Sequence, residues 1–436
     1  MLPAAALSIA LLAGCGAELK TPLPAMGLHP EILAAKKPNS GRSSNQSFIA
    51  ATPLPAVQVL LALTWRSNFA AKKSAAAVIV NPVPSPSASK SDFYVSASGN
   101  DANSGTLARP WKTINRAALQ IKAGDVVHVA PGEYRGNVKT SVNGNAGARI
   151  RFISDKQGAA RIVGGSGEAA WQNKGNYVDV MGFDVTGGNA NGIENLASNV
   201  RILGNTVHDI LALCSPNGGS GIINAEYTTH DNDIGFNFVH DIRAPARCNK
   251  RHGVGIYQTN LRGHVYNNVS IHNGSVGIQL WHAANAVAVA NNTTLNNAGP
   301  GIVIGAGDSP GGIINDHSIV INNISIHNGQ EGIQEFGATG PDNRFQNNIS
   351  FGNGAANMET ITGTASGTII ADPQFVNNTG NWDGDYHLSP KSPAIDAGVS
   401  ANSPTTDMVG GRRPQGRAVD IGAYEFGARP GKWPWQ

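Results

Sequence analysis

Between Gly192 and Gly354 one short pattern recurs six times, and it restricts the fold more than any other feature of the chain. Each copy opens on a Gly-Ile pair: Gly192-Ile193, Gly221-Ile222, Gly255-Ile256, Gly277-Ile278, Gly301-Ile302 and Gly332-Ile333. Each continues to an Asn inside a β-branched run, at Asn205, Asn237, Asn268, Asn292, Asn323 and Asn348. Successive Gly-Ile pairs are 29, 34, 22, 24 and 31 residues apart. A pattern returning at such a period is the signature of a solenoid. The flanking segments, such as "HSIVINNISIHNG", read as strands and carry no helix-period stripe.

Two or three short strands per copy make one coil. A lone coil cannot bury its apolar face, whereas stacked coils share a continuous core. The expected fold is therefore all-β: a right-handed parallel β-helix with inward Ile and Val stacked coil on coil. A β-sandwich gives no reason for the same two anchors to recur. The repeated Asn is read as a bend residue tolerant of left-handed backbone, its amide bonded to its equivalents above and below. Gly before Ile admits tight backbone at the strand entry. Solenoids lengthen by adding coils, so 436 residues do not require several domains. Charged residues are 14% of the chain and the net charge is +3 with no long basic run, which argues against a nucleic-acid partner. A monomer is expected.

Residues 1–15 read as a targeting segment, with an apolar stretch from Ala4 to Ala13 too short to span a bilayer. Leu12-Ala13-Gly14-Cys15 resembles the lipobox of bacterial lipoproteins, which implies lipidation at Cys15 and an anchor without a transmembrane helix. Met1-Leu2-Pro3 lacks the Lys or Arg usual before such a stretch, which leaves a start further upstream open. The expected location is the bacterial cell envelope, lipid-anchored at the outer membrane, or outside the cell. Residues 16–91, rich in Pro, Ser and Ala, read as a disordered tether. Cys214 and Cys248 lie nine and eleven residues after Asn205 and Asn237, on equivalent loops of adjacent coils. Stacked coils sit about 4.8 Å apart, so a disulfide between them is expected, as suits an oxidising compartment.

From Asp92 the texture changes. Tyr94-Val95-Ser96, Gly99-Asn100-Asp101, Gly105, Pro110, Thr113-Ile114, Ala117, Gly124-Asp125 and Pro131-Gly132-Glu133-Tyr134 resemble the N-terminal cap of the pectate-lyase-like β-helix superfamily. On that reading residues 92–148 are a cap with one short helix near Thr113–Gln120. It would cover the bare strand edge of the first coil. Residues 149–370 are the coils. Asp372-Pro373-Gln374-Phe375, Tyr386-His387-Leu388, Ser392–Gly398 and Asp420–Glu425 resemble the terminal segment of secreted β-helix proteins, which makes 371–426 a C-terminal cap and 427–436 a tail.

The same resemblance implies a ligand groove along one parallel sheet, walled by loops. The longest insertions are Leu211–Ser220, Arg243–Val254 and Ala306–His317. If the Ile of Gly-Ile points inward, the third and fifth residues point outward. The third-position column is Glu194, Ile223, Tyr257, Gln279, Val303 and Gln334, and the fifth position adds Trp281 and Phe336. Glu226, Lys250, Arg251, His252 and His282 are near in sequence. Such a floor suits a sugar polymer: an aromatic stacks on a pyranose while amides and carboxylates bind hydroxyls. A solvated sheet face would read the same way residue by residue.

Two families with defined sites serve as references. Family 9 polysaccharide lyases place a catalytic Lys on a Gly-Phe-Lys-like strand, and the similar strand here, Gly301-Ile302-Val303, has no Lys. Asn191-Gly192-Ile193-Glu194 followed by Glu226 resembles family 6 alginate lyases, again without the expected Lys. Neither specific active site carries over. β-Elimination at a uronic acid needs its carboxylate neutralised, a base for the C5 proton and an acid for the O4 leaving group. The candidates are Arg251 or Lys250 as cation, His252 or His282 as base, and Tyr257 as acid. Glu194, Glu226, Lys250, Gln279 and Trp281 are candidate substrate contacts. The sequence calls for no cofactor or metal site, although calcium would suit the chemistry. His208-Asp209 and His240-Asp241 are read as turn residues stacked with His272 and His327 rather than as ligands. The favoured function is an exported lyase for uronate-containing polysaccharide. The alternatives are a glycoside hydrolase or uronan epimerase on the same fold, or a non-catalytic surface glycan-binding protein.

Overall fold

One coil shows how the repeat folds. Ser220–Asn224 runs as a strand, Asp233–Gly235 follows, Phe236 turns the chain at φ 58, and Phe238–His240 forms a third strand. A loop then returns the chain to Val254–Gln258, which pairs in parallel with Ser220–Asn224 in the register Ile222 to Ile256 and Ile223 to Tyr257. This computed structural model describes residues 91–433 except 168, 189, 215–218, 247, 249–251 and 308–311. The targeting segment with Cys15, all but residue 91 of the expected tether, and Lys250 and Arg251 lie outside the described residues.

Among the described residues three parallel sheets of eleven, nine and nine strands form the walls of the solenoid. Sheet I runs from Asp92–Val95 to Thr364–Ser366, sheet II carries the Gly-Ile strands, and sheet III carries the strands after each ladder Asn. Ile193, Ile222, Ile256, Ile278, Ile302 and Ile333 are in one unbroken register and fully buried. Each such side chain contributes about 1.5–3 kcal/mol by leaving water. The glycine before each Ile is required by space. A Cβ on Gly255 would lie 2.6 Å from the Gly277 carbonyl oxygen, and one on Gly301 would lie 2.7 Å from that of Gly332.

The Asn anchors form a continuous buried ladder. Each Nδ2 donates to the next Oδ1 at 2.9–3.1 Å, from Asn205 through Asn237, Asn268, Asn292 and Asn323 to Asn348. The left-handed residue is the one before each, not the ladder Asn itself: Gly204, Phe236, Asn267, Asn291, Asn322 and Asn347 have φ of 49–65°. The ladder Asn is thus selected for its amide and its predecessor for the bend. Two more ladders line other corners. Asn273, Asn297, Asn328 and Asn353 form one. Asn173, Asn195, Asn224 and Gln258 form the other.

The N-terminal helix spans Ile114–Ala118, shorter than the expected Thr113–Gln120, with Thr113 accepting from Arg116 N at 3.0 Å as N-cap. Residues 371–433, read above as a C-terminal cap and tail, pack along the flank of the solenoid. Asn347, Asn322 and Asn267 donate in turn to the carbonyls of Ala397, Val399 and Thr406. The left-handed corner amides of one coil after another therefore serve as docking groups for this segment. Buried Arg413 pairs with Glu425 at 2.9 Å inside it. No described helix is long and apolar enough to cross a membrane.

Candidate functional site

Sheet II presents its third-position column on the outer face in the expected order. Lys139, Gln172, Glu194, Ile223, Tyr257, Gln279, Val303, Gln334 and Glu359 are successive register partners. The column is less open than alternation alone implies. Ile223 and Val303 are buried, and Val254, Val276 and Val303 form a small apolar cluster against which Tyr257 and Trp281 pack. Part of this face is thus an outer core that fixes two aromatic rings in place.

Those rings belong to a strip at the exit of the sheet II strands. The His282 ring lies 4.4 Å from Tyr227 in a stacked arrangement and 5.9 Å from Tyr257. Trp281 points the other way and stacks on Phe336 at 5.8 Å. It crosses Gly305 and Gly307, where added Cβ atoms would come within 2.7 and 2.6 Å of its ring. The strip spans four coil spacings, about 19 Å. Phe, Tyr and Trp are 6% of the sequence, and four of them line this edge with the His282 imidazole, which makes it the candidate ligand surface. His282 is held in the left-handed region at φ 57.

The expected site residues separate into two groups. Tyr257, His282, Trp281 and Gln279 come together on adjacent strands. His252 lies against Gly219 at the entry of Val254–Gln258, where a Cβ on Gly219 would be 3.1 Å from its ring. Five residues separate it from Tyr257, on the order of 15 Å along the chain. It therefore lies at the entry of this strand, whereas Tyr257 lies near its exit. Tyr227 was not among the expected residues. Its position straight after Glu226, at a strand exit like that of His282, was the available signal.

The two candidate carboxylates do not face one another. Glu194 accepts from Gln172 Nε2 at 2.6 Å and Asn191 Nδ2 at 3.2 Å, which draws it toward the strand entry. Glu226 lies past the end of Ser220–Asn224, is exposed, and accepts from Thr228 Oγ1 at 3.1 Å. The strand ends before alternation can turn Glu226 inward. One coil spacing and three residues of travel put their Cα atoms about 11 Å apart.

Cys214 and Cys248 are joined, with Cα atoms 5.0 Å apart, and tie together the two loops that lead into Ser220–Asn224 and Val254–Gln258. The His-Asp pairs are tied up in ion pairs. His208 contacts Asp184 at 2.7 Å and Asp209 at 2.8 Å, and its ring stacks on His240 at 5.0 Å. Burial disfavours charge on both rings. The two carboxylates outweigh it at His208, whose pKa is raised, whereas at His240, paired with Asp241 alone, burial prevails and the pKa is lowered. His272 and His327 share the left-handed position of Asp209 and Asp241, one residue on from His208 and His240. The turn ladder is therefore Asp209, Asp241 and His272 in sequence, with His272 Nδ1 2.8 Å from Asp241.

The one described group of three side chains able to hold a metal is Asp316, His317 and Asp342, beside the sheet I strand Ile319–Ile321 and off this face. The described acids of the groove column, Glu194 and Glu359, both accept from neighbouring amides. They do not assemble the six to eight oxygen ligands of calcium.

The geometry defines a right-handed parallel β-helix with an aromatic groove along one sheet. The chain belongs to the family described as the Pel9A-like right-handed β-helix region, whose model matches residues 93–369. The structure is similar to the solved pectate lyase Pel9A, with TM-score 0.57 and 17% identity over 77% of this chain and 96% of that one. It is also similar to a rhamnogalacturonan lyase, with TM-score 0.48 and 15% identity over 66% and 91%. An alginate lyase from Paenibacillus sp. str. FPU-7 shows TM-score 0.45 and 18% identity over 63% and 99%. Among curated proteins no sequence matches.

Proposed function

We propose that this chain acts on polysaccharide and that it is a lyase cleaving a uronic-acid-containing polymer by β-elimination. The observation that carries the proposal is the Tyr257–His282 pair, 5.9 Å between rings, set in a strip of aromatic side chains along the groove. Family membership supports a glycan-directed groove on this fold, while fold alone does not fix chemistry. The aromatic strip would stack on successive sugar rings and hold the chain in register. His282 would take the C5 proton, and the Tyr257 hydroxyl would donate to the departing O4, so one residue accepts a proton as the other gives one up. Tyr227 stacked on His282 would keep its ring aimed at the substrate. The cation that neutralises the uronate carboxylate would be Arg251 or Lys250, which follow Cys248 in the sequence. His252, displaced along the strand, is left a role in binding a neighbouring sugar.

One observation favours a second reading. Val303 occupies the column where a family 9 lyase strand would carry Lys, and it is buried in the apolar cluster. A groove without that base would make a glycan-binding surface. A hydrolase would need paired carboxyls within about 5–10 Å, and Glu194 and Glu226 are held by separate partners, Gln172 and Asn191 for the one and Thr228 for the other. Export and lipid anchoring at Cys15 are part of the proposal, supported by the disulfide, which persists in oxidising compartments.

Incubation with pectate, alginate and glycosaminoglycans tests the reading. The lyase predicts ultraviolet absorbance from an unsaturated product. New reducing ends without absorbance would replace it with hydrolysis. Binding with neither would leave the glycan-binding surface.

A further inference from the structure

A second cleft opens at the corner between sheets I and III, which faces away from sheet II. It exists because residues 371–433 return along this flank without filling it. Its volume is about 320 Å³, within the range of pockets that hold small ligands. Phe236 and Phe238 form the solenoid wall, and Trp382, Tyr424 and Trp433 form the opposite one. Trp382 is 62% exposed. A large aromatic kept in water on a defined turn is the informative kind of exposure. Its ring lies 6.2 Å from His240 at 21°, and His240 in turn stacks on His208 at 5.0 Å and 8°. The three rings thus form a stack beside the cleft, with Trp382 as its exposed member. Hydrogen bonds with Asp184 and Asp209 hold His208 in place, and one with Asp241 holds His240.

The polar groups around this stack are spaced rather than continuous. Gln157 and Thr206 line the cleft. The Asp209 side chain is 60% exposed, and Asp383, next to Trp382, is exposed and accepts from Thr379 Oγ1 at 2.8 Å. A flat apolar plane bordered by carboxylates, an amide and a hydroxyl matches a pyranose, which has an apolar C–H face and a rim of hydroxyls. A purely hydrophobic partner would strip water from these exposed carboxylates without replacing its hydrogen bonds.

We infer that this cleft is a second saccharide-binding site, with Trp382 as its platform, holding a distant stretch of the polysaccharide that the groove engages. It rests on the polysaccharide reading for its ligand class but not on β-elimination. It would retain the protein on polymer and play no part in turnover of short fragments.

The test uses the full chain, with retention in gels containing pectate, alginate or a glycosaminoglycan, for wild type, Trp382→Ala and Tyr257→Phe. Trp382→Ala removes an exposed ring and leaves the core intact. Expected are an affinity for polymer at least ten-fold lower in Trp382→Ala and an unchanged kcat/KM on an oligosaccharide long enough only for the groove. Unchanged polymer retention in Trp382→Ala would overturn the inference, even with wild-type turnover intact. Equal loss of retention and of short-substrate turnover would overturn it too, since the ring would then serve the groove. Retention that depends on Trp382 in a chain that cleaves nothing would uphold it while removing the lyase.

Discussion

Asn268→Ala is the sharpest probe of how the coils are held together. Its side chain makes four hydrogen bonds in a fully buried setting. Nδ2 donates to Ile234 O and Asn292 Oδ1, both at 2.9 Å. Oδ1 accepts from Asn237 N and Asn237 Nδ2, both at 3.0 Å. After truncation Asn237 Nδ2 still reaches Ile202 O at 2.9 Å, and Asn292 Oδ1 still accepts from Asn268 N at 3.0 Å. The Asn237 N–H and the Ile234 carbonyl lose these partners. The stranded Asn237 N–H costs about 1–3 kcal/mol, while the Ile234 carbonyl keeps its place in the pairing of Asp233–Gly235 with His264–Tyr266 and loses one bond of about 0.5–1.5 kcal/mol, so the expected loss is about 2–4 kcal/mol. The matched control is Asn285→Ala, which removes one bond to Ile314 O at 3.0 Å from an exposed setting and should cost less than about 1 kcal/mol. Urea unfolding followed by circular dichroism measures both. If Asn268→Ala were no more destabilised than Asn285→Ala, the amide ladder would not be a stabilising element and the reasoning would fail.

Other expectations follow from the same geometry. Gly301→Ala places a methyl 2.7 Å from the Gly332 carbonyl oxygen. It should cost about 1–3 kcal/mol as overpacking, read as a lowered Tm. Removing the disulfide by Cys214→Ser with Cys248→Ser opens a loop of separation 34 and should cost about 3–4 kcal/mol by chain entropy, seen as a lower urea midpoint under non-reducing conditions. Burial opposes ionisation of Asp241, but hydrogen bonds from His240, Arg243 and His272 outweigh it and hold its carboxyl at about 2, below the usual 3.8. A depressed carboxyl stabilises the fold above its unfolded pKa and loses that contribution as pH falls through the folded one. About 2 kcal/mol should therefore disappear between roughly pH 4 and 2, a slope that Asp241→Asn should flatten in acid titrations of stability.

The solenoid was legible because stacking makes one set of demands on every coil, and a demand repeated six times shows as a pattern. Gly before Ile is the clearest instance, since the space above it is taken by the next coil's carbonyl. Roles that depend on one residue's offset were harder to read. The left-handed bend falls on Asn267 and its equivalents, one residue before the ladder Asn; in four of the six coils the sequence shows two adjacent Asn there and not which one bends. The Asn273 ladder was hidden in a loop with no strand to set its register. Alternation placed Tyr257 and Gln279 outward correctly but could not show that Val254 and Val276 would cover Val303. The flank position of residues 371–433 was out of reach for a related reason: their partners are corner amides dozens of residues away. Within the site, Tyr257 and His282 share a neighbourhood because their strands are register partners. His252 does not, because distance along a strand counts in full while distance between coils shrinks to one spacing.

The initial rate of unsaturated-product formation by Tyr257→Phe, beside wild type on the same polyuronate, tests the groove most directly. Loss of the hydroxyl that donates to O4 should lower kcat about a hundred-fold or more, with binding to the polymer retained. A rate equal to wild type would contradict the assignment and remove the Tyr257–His282 pair from the chemistry.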